Sequence, residues 1–562
     1  MRKMGLCAVL AGLCLFTLGC GDRRSPSATG SAAPAPLQDT DPFGRYADPV
    51  VLSIGLAVDP NEEWPAGDSP VHNQYIRHIE EQLNVKVEVD WTASSSDYDQ
   101  KVNLAISSNS LPDALVVNDM QFNQMVKSQQ LGDLTQAYRD YASDTMRRMI
   151  DSSGGKAIEN VTYNGKMYGL TSTSDGDFEL VWIRKDWLDK LGLQAPKTIS
   201  DLRAVARAFV ERDPGGNGPG RTIGISGPEN GGAMYSTFLT SGTNIYGFEP
   251  LFSAFGSYPG WWIKDAEGKA AYASTLPETR TALAELAAWY REGLIDPEMG
   301  IRQFSSEAVI SGRSGIFSGG WWMGYAMLPD VIRNNPSANF QCYAIPAGSG
   351  GIYRPRASSA SYSYVVVNKN YAHPEAAIKL NNLLIRDEGS FDFRRGGIGN
   401  FPLRIAMGML DECPFTLQAF RDVLGGTKTA GDFSDEEFRL YKLLKNDLDK
   451  INLVKTAPYD VTDISAWNPA ADMSAWQRSY SIMVGWAAYQ DSPKELVYSL
   501  THSLTPAMES RWSNLKALED ETFMKIVMNQ APIEVFDEFV RNWKAQGGDR
   551  ITAEVQEYVN TK

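Results

Sequence analysis

The chain has 562 residues, too many for one small hydrophobic core, so two or more lobes are expected. Its 53 Lys and Arg against 68 Asp and Glu leave a formal charge of −15, which argues against nucleic acid and anionic lipid headgroups as partners. A hydrophobic fraction of 43% argues against wholesale disorder, while 14 Trp and 24 Tyr suit either a rich aromatic core or stacking on flat ligands.

At the N-terminus, Arg2 and Lys3 precede the apolar run "MGLCAVLAGLCLFTLG", which is short for a membrane span and ends at Gly19-Cys20. The arrangement resembles a bacterial lipoprotein signal, although Thr17 stands three before the cysteine where such signals favour Leu. The resemblance implies cleavage after residue 19 and a lipid, palmitate included, on Cys20; a plain secretory signal cut elsewhere is the alternative. Cleavage would remove Cys7 and Cys14, leaving Cys342 and Cys413 either to pair across a long loop or to stay as two thiols. Residues 20–46, rich in Ser, Pro, Ala and Gly, read as a flexible tether.

The folded body opens with a strand at "DPVVLSIGLAVDP". A helix follows at "DSPVHNQYIRHIEEQLN", with Asp68-Ser69-Pro70 as its start and Val71, Tyr75, Ile79 and Leu83 on one face. "VKVEVDW" alternates as a strand, a second helix spans Tyr98 to Ser107, and "DALVVND" is a third strand. This β-α-β-α-β run implies a parallel sheet, whose ligands gather beyond the carboxyl ends of the strands. Those ends carry Trp64, Ser94–Ser96, and Asn118 with Asp119.

Farther along, Asn164-Gly165 marks a hairpin. "TISDLRAVARAFVERD" reads as a helix with Leu202, Val205, Ala206 and Phe209 on one side. The loop "DPGGNGPGRTIG" then has the outline of a calcium loop, with Asp213, Asn217 and Gly218 in place but Gly215 and Arg221 where oxygens belong. It leads into a short strand, "TIGISG". Pro374 starts a later helix, and Gly547-Gly548 breaks the C-terminal one into two.

Catalytic constellations are scarce. The four histidines, His72, His78, His373 and His502, form no metal-ligand spacing, and there is no nucleophile elbow, phosphate loop or dinucleotide fingerprint. Paired carboxylates stay open as general acid and base, since 68 acids guarantee some close pairs. The aromatic pairs Trp261-Trp262 and Trp321-Trp322 follow glycines, so each is expected to bury one ring and present the other to a sugar face. Arg394, Arg395 and Asn400 surround a Gly-rich turn, and Trp467 stands in "SAWNP"; these add candidate polar and stacking partners.

Several stretches, in this order and spacing, resemble the extracellular solute-binding proteins of bacterial ABC importers, specifically the large carbohydrate-binding lipoproteins. They are "KVNLAISSNSLPDALV", "NGKMYGL", "IRKDWLDKLGLQAPKTISDLRAVARAF", "DPGGNGPGRTIGI", "SGRSGIFSGGWW", "VVVNKNYAHPEAAIKLNNLL" and "FDEFVRNWKAQGGDRITAEVQEY". The resemblance implies an α/β fold of two lobes, each a mainly parallel sheet flanked by helices, with crossovers at a hinge. It places lobe 1 at about 47–165 and 357–460, and lobe 2 at about 166–356 and 461–562.

It further implies an extracytoplasmic, lipid-tethered monomer that holds an oligosaccharide between its lobes and passes it to membrane-spanning permease subunits, without catalysis. It implies that Asn118 and Asp119 face Trp321 and Trp322 across the cleft; Trp261, Trp262, Arg395, Asn400 and Trp467, singled out above from the residues themselves, complete the candidate ligand set. Relatives carry calcium at the Asp213 loop. Here one side-chain charge beside a guanidinium is too little for an ion that takes about 6–8 oxygens, so neither metal nor cofactor is expected. An exported glycan hydrolase and a surface adhesin or sensor without transport are the alternative readings.

Overall fold

The computed structural model describes residues 40–561, except 59–63, 95–96, 174–177, 229–233, 240–243, 347–349, 358–360, 362, 392–396, 435–444, 446, 449, 451–459 and 503. Cys20 and Arg395 therefore lie outside the described residues, as does Arg394.

The first lobe is built on the β-α-β-α-β run: β1 (Val50–Val58), α1 (Gln74–Leu83), β2 (Val85–Ser94), α2 (Tyr98–Ser108), β3 (Ala114–Asn118) and α3 (Asp119–Lys127). β1 pairs in parallel with β2, from Val50 opposite Val85 to Val58 opposite Ser94, and with β3 on its other side. The register slips between Ile54 and Gly55. A Cβ at Gly55 would stand 2.2 Å from Cζ2 of Trp91, so only glycine lets that ring cross the strand.

α1 starts four or five residues later than the Ser-Pro pair suggested. Fully buried Asn73 caps it, its side-chain oxygen accepting the backbone N–H groups of Tyr75 and Ile76 at 3.0 and 3.2 Å. The side-chain amide of Asn73 donates to the carbonyls of Ser69 and Pro70, which turns that segment into a loop. Tyr75, Ile76, Ile79 and Leu83 are buried along α1, so the expected face is nearly the one that packs.

The sheet is completed by β4 (Leu170–Thr171), the third crossing partner β9 (Ser363–Val367) lying between β3 and β4. Strands β5 (Leu180–Arg184), β6 (Ile316–Gly319), β7 (Phe340–Tyr343) and the short β8 (Arg356–Ala357) belong to the second lobe. β9 is antiparallel to β3, with Ser363 opposite Asn118, and β4 is antiparallel to β9. The second lobe's central strand, β5, is antiparallel to both β6 and β7. Parallel pairing in that lobe lies outside this three-stranded sheet: the isolated bridges Ile223 to Ser314 and Ile225 to Ile295, contributed by "TIGISG", and β8, whose Arg356 and Ala357 pair with Val497 and Tyr498. The first sheet is therefore mixed and the second lobe's three-stranded sheet antiparallel, rather than each being mainly parallel. For β9 the reason is geometric: the chain returns from the other lobe at the carboxyl edge of β3 and must run back along it.

Among the described residues three large hydrophobic cores form, beside a small cluster of Tyr258, Trp261 and Ala273. One surrounds the first sheet and includes Leu52, Ile54, Val102, Val365 and Leu380. A second joins Val181, Ile183 and Phe209 to the C-terminal Phe523 and Trp543, and a third joins Trp182, Phe317 and Phe340 to Leu417, Trp467 and Tyr480. Membership changes hands between 170 and 178, between 357 and 364, and between 405 and 413. Residues 166–171 thus stay with the first core, and the helix Glu412–Leu424, expected in lobe 1, buries Cys413, Leu417 and Phe420 in the third. Cys342 and Cys413 are both buried there and are not joined in a disulfide. Among the described residues no helix is long and apolar enough to cross a membrane.

Candidate functional site

The carboxyl end of β3 runs directly into α3, and this junction places a buried polar group between the lobes. Asn118 caps the helix: its side-chain oxygen accepts the Gln121 N–H at 3.0 Å, while the Gln121 side chain accepts the Asn118 N–H at 3.1 Å. That reciprocal pair commits Asn118 to fold geometry. Its effect is to turn the next residue, Asp119, inward, where it is 7% exposed.

Asp119 is ringed by tyrosines. The Tyr364 hydroxyl donates to one carboxylate oxygen at 3.3 Å, and the Tyr558 hydroxyl donates to the other. One turn on, the Asn123 amide donates to the Asp119 carbonyl at 2.8 Å and accepts the Tyr163 hydroxyl on its oxygen. Phe122 stacks on Tyr364 with ring centroids 4.7 Å apart. Burial, followed by the neighbouring Asp119 charge, raises the Tyr364 phenol well above its ordinary range, so it stays a hydrogen-bond donor. A carboxylate among flat rings with hydroxyl tips has the chemistry to recognise a polyol: acceptors for its hydroxyls, apolar faces for its C–H surface.

The aromatic pairs separate in the structure. Trp262 is fully buried between Tyr272 and Trp543, and Trp261 is 3% exposed, so neither ring of that pair is presented. Trp321 is buried edge-on against Trp486, whereas Trp322 is half-buried, so this pair does divide as expected. Trp467 is core: its indole N–H donates to the Val461 carbonyl at 3.0 Å and its ring packs on Tyr480. Asn400, also buried, donates to the Gly397 carbonyl at 3.0 Å within its own turn. Large rings beside glycine read alike in sequence whether they fill a core or line a cleft.

Sequence reasoning missed Tyr364 and Tyr558, and also a buried charge group where one crossover enters the second lobe and another leaves it. Glu179 immediately precedes β5 and is fully buried, with Nε of Arg356 3.2 Å from its carboxylate. Burial pushes the Glu179 carboxyl up to about 7 against the pull of Arg356. Buried Glu249 is raised by burial too and is opposed by the same guanidinium. Arg356 also lies 6.0 Å from the Trp261 ring centroid. A glutamate set in the apolar stretch "FELVWI" was the available signal; the arginine, 177 positions on in sequence, had none.

The Asp213 loop satisfies itself. Asp213 adopts a left-handed conformation at φ 39° as the cap of the helix Ile199–Arg212. Its carboxylate accepts the Thr222 hydroxyl at 2.5 Å and the N–H groups of Asn217 and Gly218 at 3.0 and 2.8 Å. The Asn217 amide bonds the Thr222 oxygen and the Gly312 carbonyl. A Cβ at Gly215 would be 2.7 Å from the Trp187 ring, which fills the space where a further ligand oxygen would stand. Thr222, then the backbone donors, hold the Asp213 carboxyl below its ordinary range. Both carboxylate oxygens of Asp213, the one charged side chain a cation would find here, already accept hydrogen bonds.

Residues 69–390, more than half of the chain, match the family described as bacterial extracellular solute-binding protein. The polygalacturonan/rhamnogalacturonan-binding protein YtcQ of Bacillus subtilis (strain 168) is 24% identical over 507 residues, 87% of this chain and 88% of its own length. Lipoprotein LipO of the same organism is 28% identical over 258 residues, 45% of this chain; the match spans about half, 47%, of LipO. Among solved structures, an HMO-binding, ABC-transporter-associated solute-binding protein from Bifidobacterium longum infantis superposes with a TM-score of 0.52. It is 17% identical, over 92% of this chain and 99% of that one, and it supports the two-lobed fold. The chain belongs to the bacterial extracellular solute-binding protein family.

Proposed function

We propose that the chain is a lipid-anchored extracytoplasmic receptor, monomeric and without catalytic activity, that takes an oligosaccharide between its lobes for an ABC importer permease. The carrying observation is Asp119, buried at the carboxyl end of the first sheet and in hydrogen-bonding contact with tyrosines of both lobes. Family membership supports a solute receptor, and the glycan-binding description of YtcQ supports the solute class.

Mechanistically, closure over a sugar buries hydroxyls that each cost about 1–3 kcal/mol if left unpaired, so a charged acceptor and phenolic donors at the closing edge select ligands able to pair with them. Trp322, the half-exposed ring of its pair, supplies a stacking face. A micromolar affinity corresponds to about 8 kcal/mol, within reach of a few such contacts plus closure.

Isothermal calorimetry with neutral gluco- and fructo-oligosaccharides, oligogalacturonides and short peptides tests the reading. One-site binding to one of the glycans, with the sugar recovered intact, is expected. Heat with peptides alone, or release of new reducing ends, would overturn it.

A further inference from the structure

The C-terminal helix Asp549–Thr561 buries Ile551 and Val555 in the second lobe's core, and Tyr558 continues that stripe at the next turn. The helix is tied to its neighbour, Pro506–Val527, where the Ala507 N–H donates to the Glu554 carboxylate at 2.8 Å. The phenol of Tyr558 thus projects from a rigid second-lobe platform onto Asp119, a first-lobe residue 439 positions away. The Asn123 amide approaches the same phenol oxygen at 3.5 Å. A second tie joins the same two lobes through neighbouring helices: the Asn103 amide of α2 donates to Glu509 of the Pro506–Val527 helix at 2.6 Å.

We propose that Tyr558 is an affinity-setting latch: in the ligand-free protein its hydroxyl holds the position on Asp119 that a sugar hydroxyl takes in the complex. This rests on the receptor reading above. A phenol presents what a sugar unit presents, a flat apolar face and an O–H donor, so the exchange replaces one neutral donor by another and leaves the buried charge of Asp119 paired throughout. Tyr364 and Asn123, both first-lobe residues, keep the carboxylate and its surroundings in place while the exchange occurs. The latch lowers the fraction of molecules open to ligand, and apparent affinity falls by that fraction.

The test removes one oxygen, Tyr558→Phe, and reads two quantities on the full mature chain. Small-angle X-ray scattering without ligand is expected to show a larger radius of gyration than the parent. Calorimetry with whichever oligosaccharide gives heat in the panel is expected to show about fivefold tighter binding. Weaker binding would make Tyr558 a contact kept in the complex, and unchanged scattering would mean that it holds no lobes together; either result overturns the latch. The scattering arm needs no ligand, so it remains decisive even where every glycan fails. Glu509→Gln, which weakens the second tie and leaves the Tyr558–Asp119 contact in place, is expected to enlarge the ligand-free particle too while shifting affinity less than Tyr558→Phe. An equal or larger affinity shift would assign the effect to general loosening and overturn the specific role of Tyr558.

Discussion

Asp119 and Asp213 are both aspartates whose carboxylates are surrounded by hydrogen-bond donors, yet the donors come from opposite ends of the scale of sequence distance. Asp213 is satisfied by Asn217, Gly218 and Thr222, all within nine residues. Asp119 is satisfied by Tyr364 and Tyr558, 245 and 439 residues away. A carboxylate held by its own loop keeps its partners whatever the lobes do. One held across lobes loses a partner whenever they part, and that is the property a ligand can use.

The largest effect that would break this comparison is at Asp119. Asp119→Asn keeps the size of the side chain and removes the charge, and hydrogen bonds to a charged group are worth about 1.5–3 kcal/mol. Glycan affinity is therefore expected to fall about 10- to 100-fold by calorimetry. An unchanged dissociation constant would show that Asp119 serves only the fold.

Asp213→Ala is expected to do the converse. It removes the acceptor for three local donors and is expected to cost about 1–2 kcal/mol in urea unfolding, with glycan affinity within twofold of the parent. Calcium or a chelator is expected to move the melting temperature of neither protein. A calcium-dependent rise in the parent that Asp213→Ala abolishes would mean that the loop still holds an ion.

A smaller effect concerns Glu179, whose partner Arg356 also comes from far along the chain. Its folded-state value of about 7 lies above the ordinary carboxyl value of 4.5, so the folded protein binds the extra proton. Its contribution is then most favourable below the unfolded value and is lost as pH rises through the interval from 4.5 to about 7. Thermal unfolding of Glu179→Gln is expected to show a flatter pH dependence across that interval. For Asp213, whose value is lowered, the sign reverses: its contribution is present above the ordinary value and disappears as the pH falls through the lowered one.

Much of the architecture was readable because it is local. The alternation of "VKVEVDW", the stripe Leu202, Val205, Ala206, Phe209, and the break at Gly547, where φ is 123°, each depend on residues within about one turn. The start of α1 was misplaced because Ser69-Pro70 has the form of a helix start, yet Asn73 caps better once buried. Of the candidate site, Asp119 was found through the strand-end rule for parallel sheets, which required only the β-α-β-α-β order. Trp261, Trp262 and Trp467 were not separable in advance, since a large ring next to a turn fits core and cleft equally in sequence. Their burial depends on Trp543 and Arg356, which lie far along the chain, as well as on the nearer Tyr272 and Tyr480.

What the sequence determined by itself was the kind of each segment, the family to which the chain belongs, and the self-contained Asp213 loop. All of these rest on hydrogen bonds and periodicities spanning few residues, or on the order of such segments. Only the tertiary structure decided that one sheet is mixed and the other antiparallel, that Glu412–Leu424 packs with the second lobe, and that Tyr558 meets Asp119. Those outcomes follow from where the chain re-enters a lobe and which distant surfaces are then pressed together, and no local propensity encodes either.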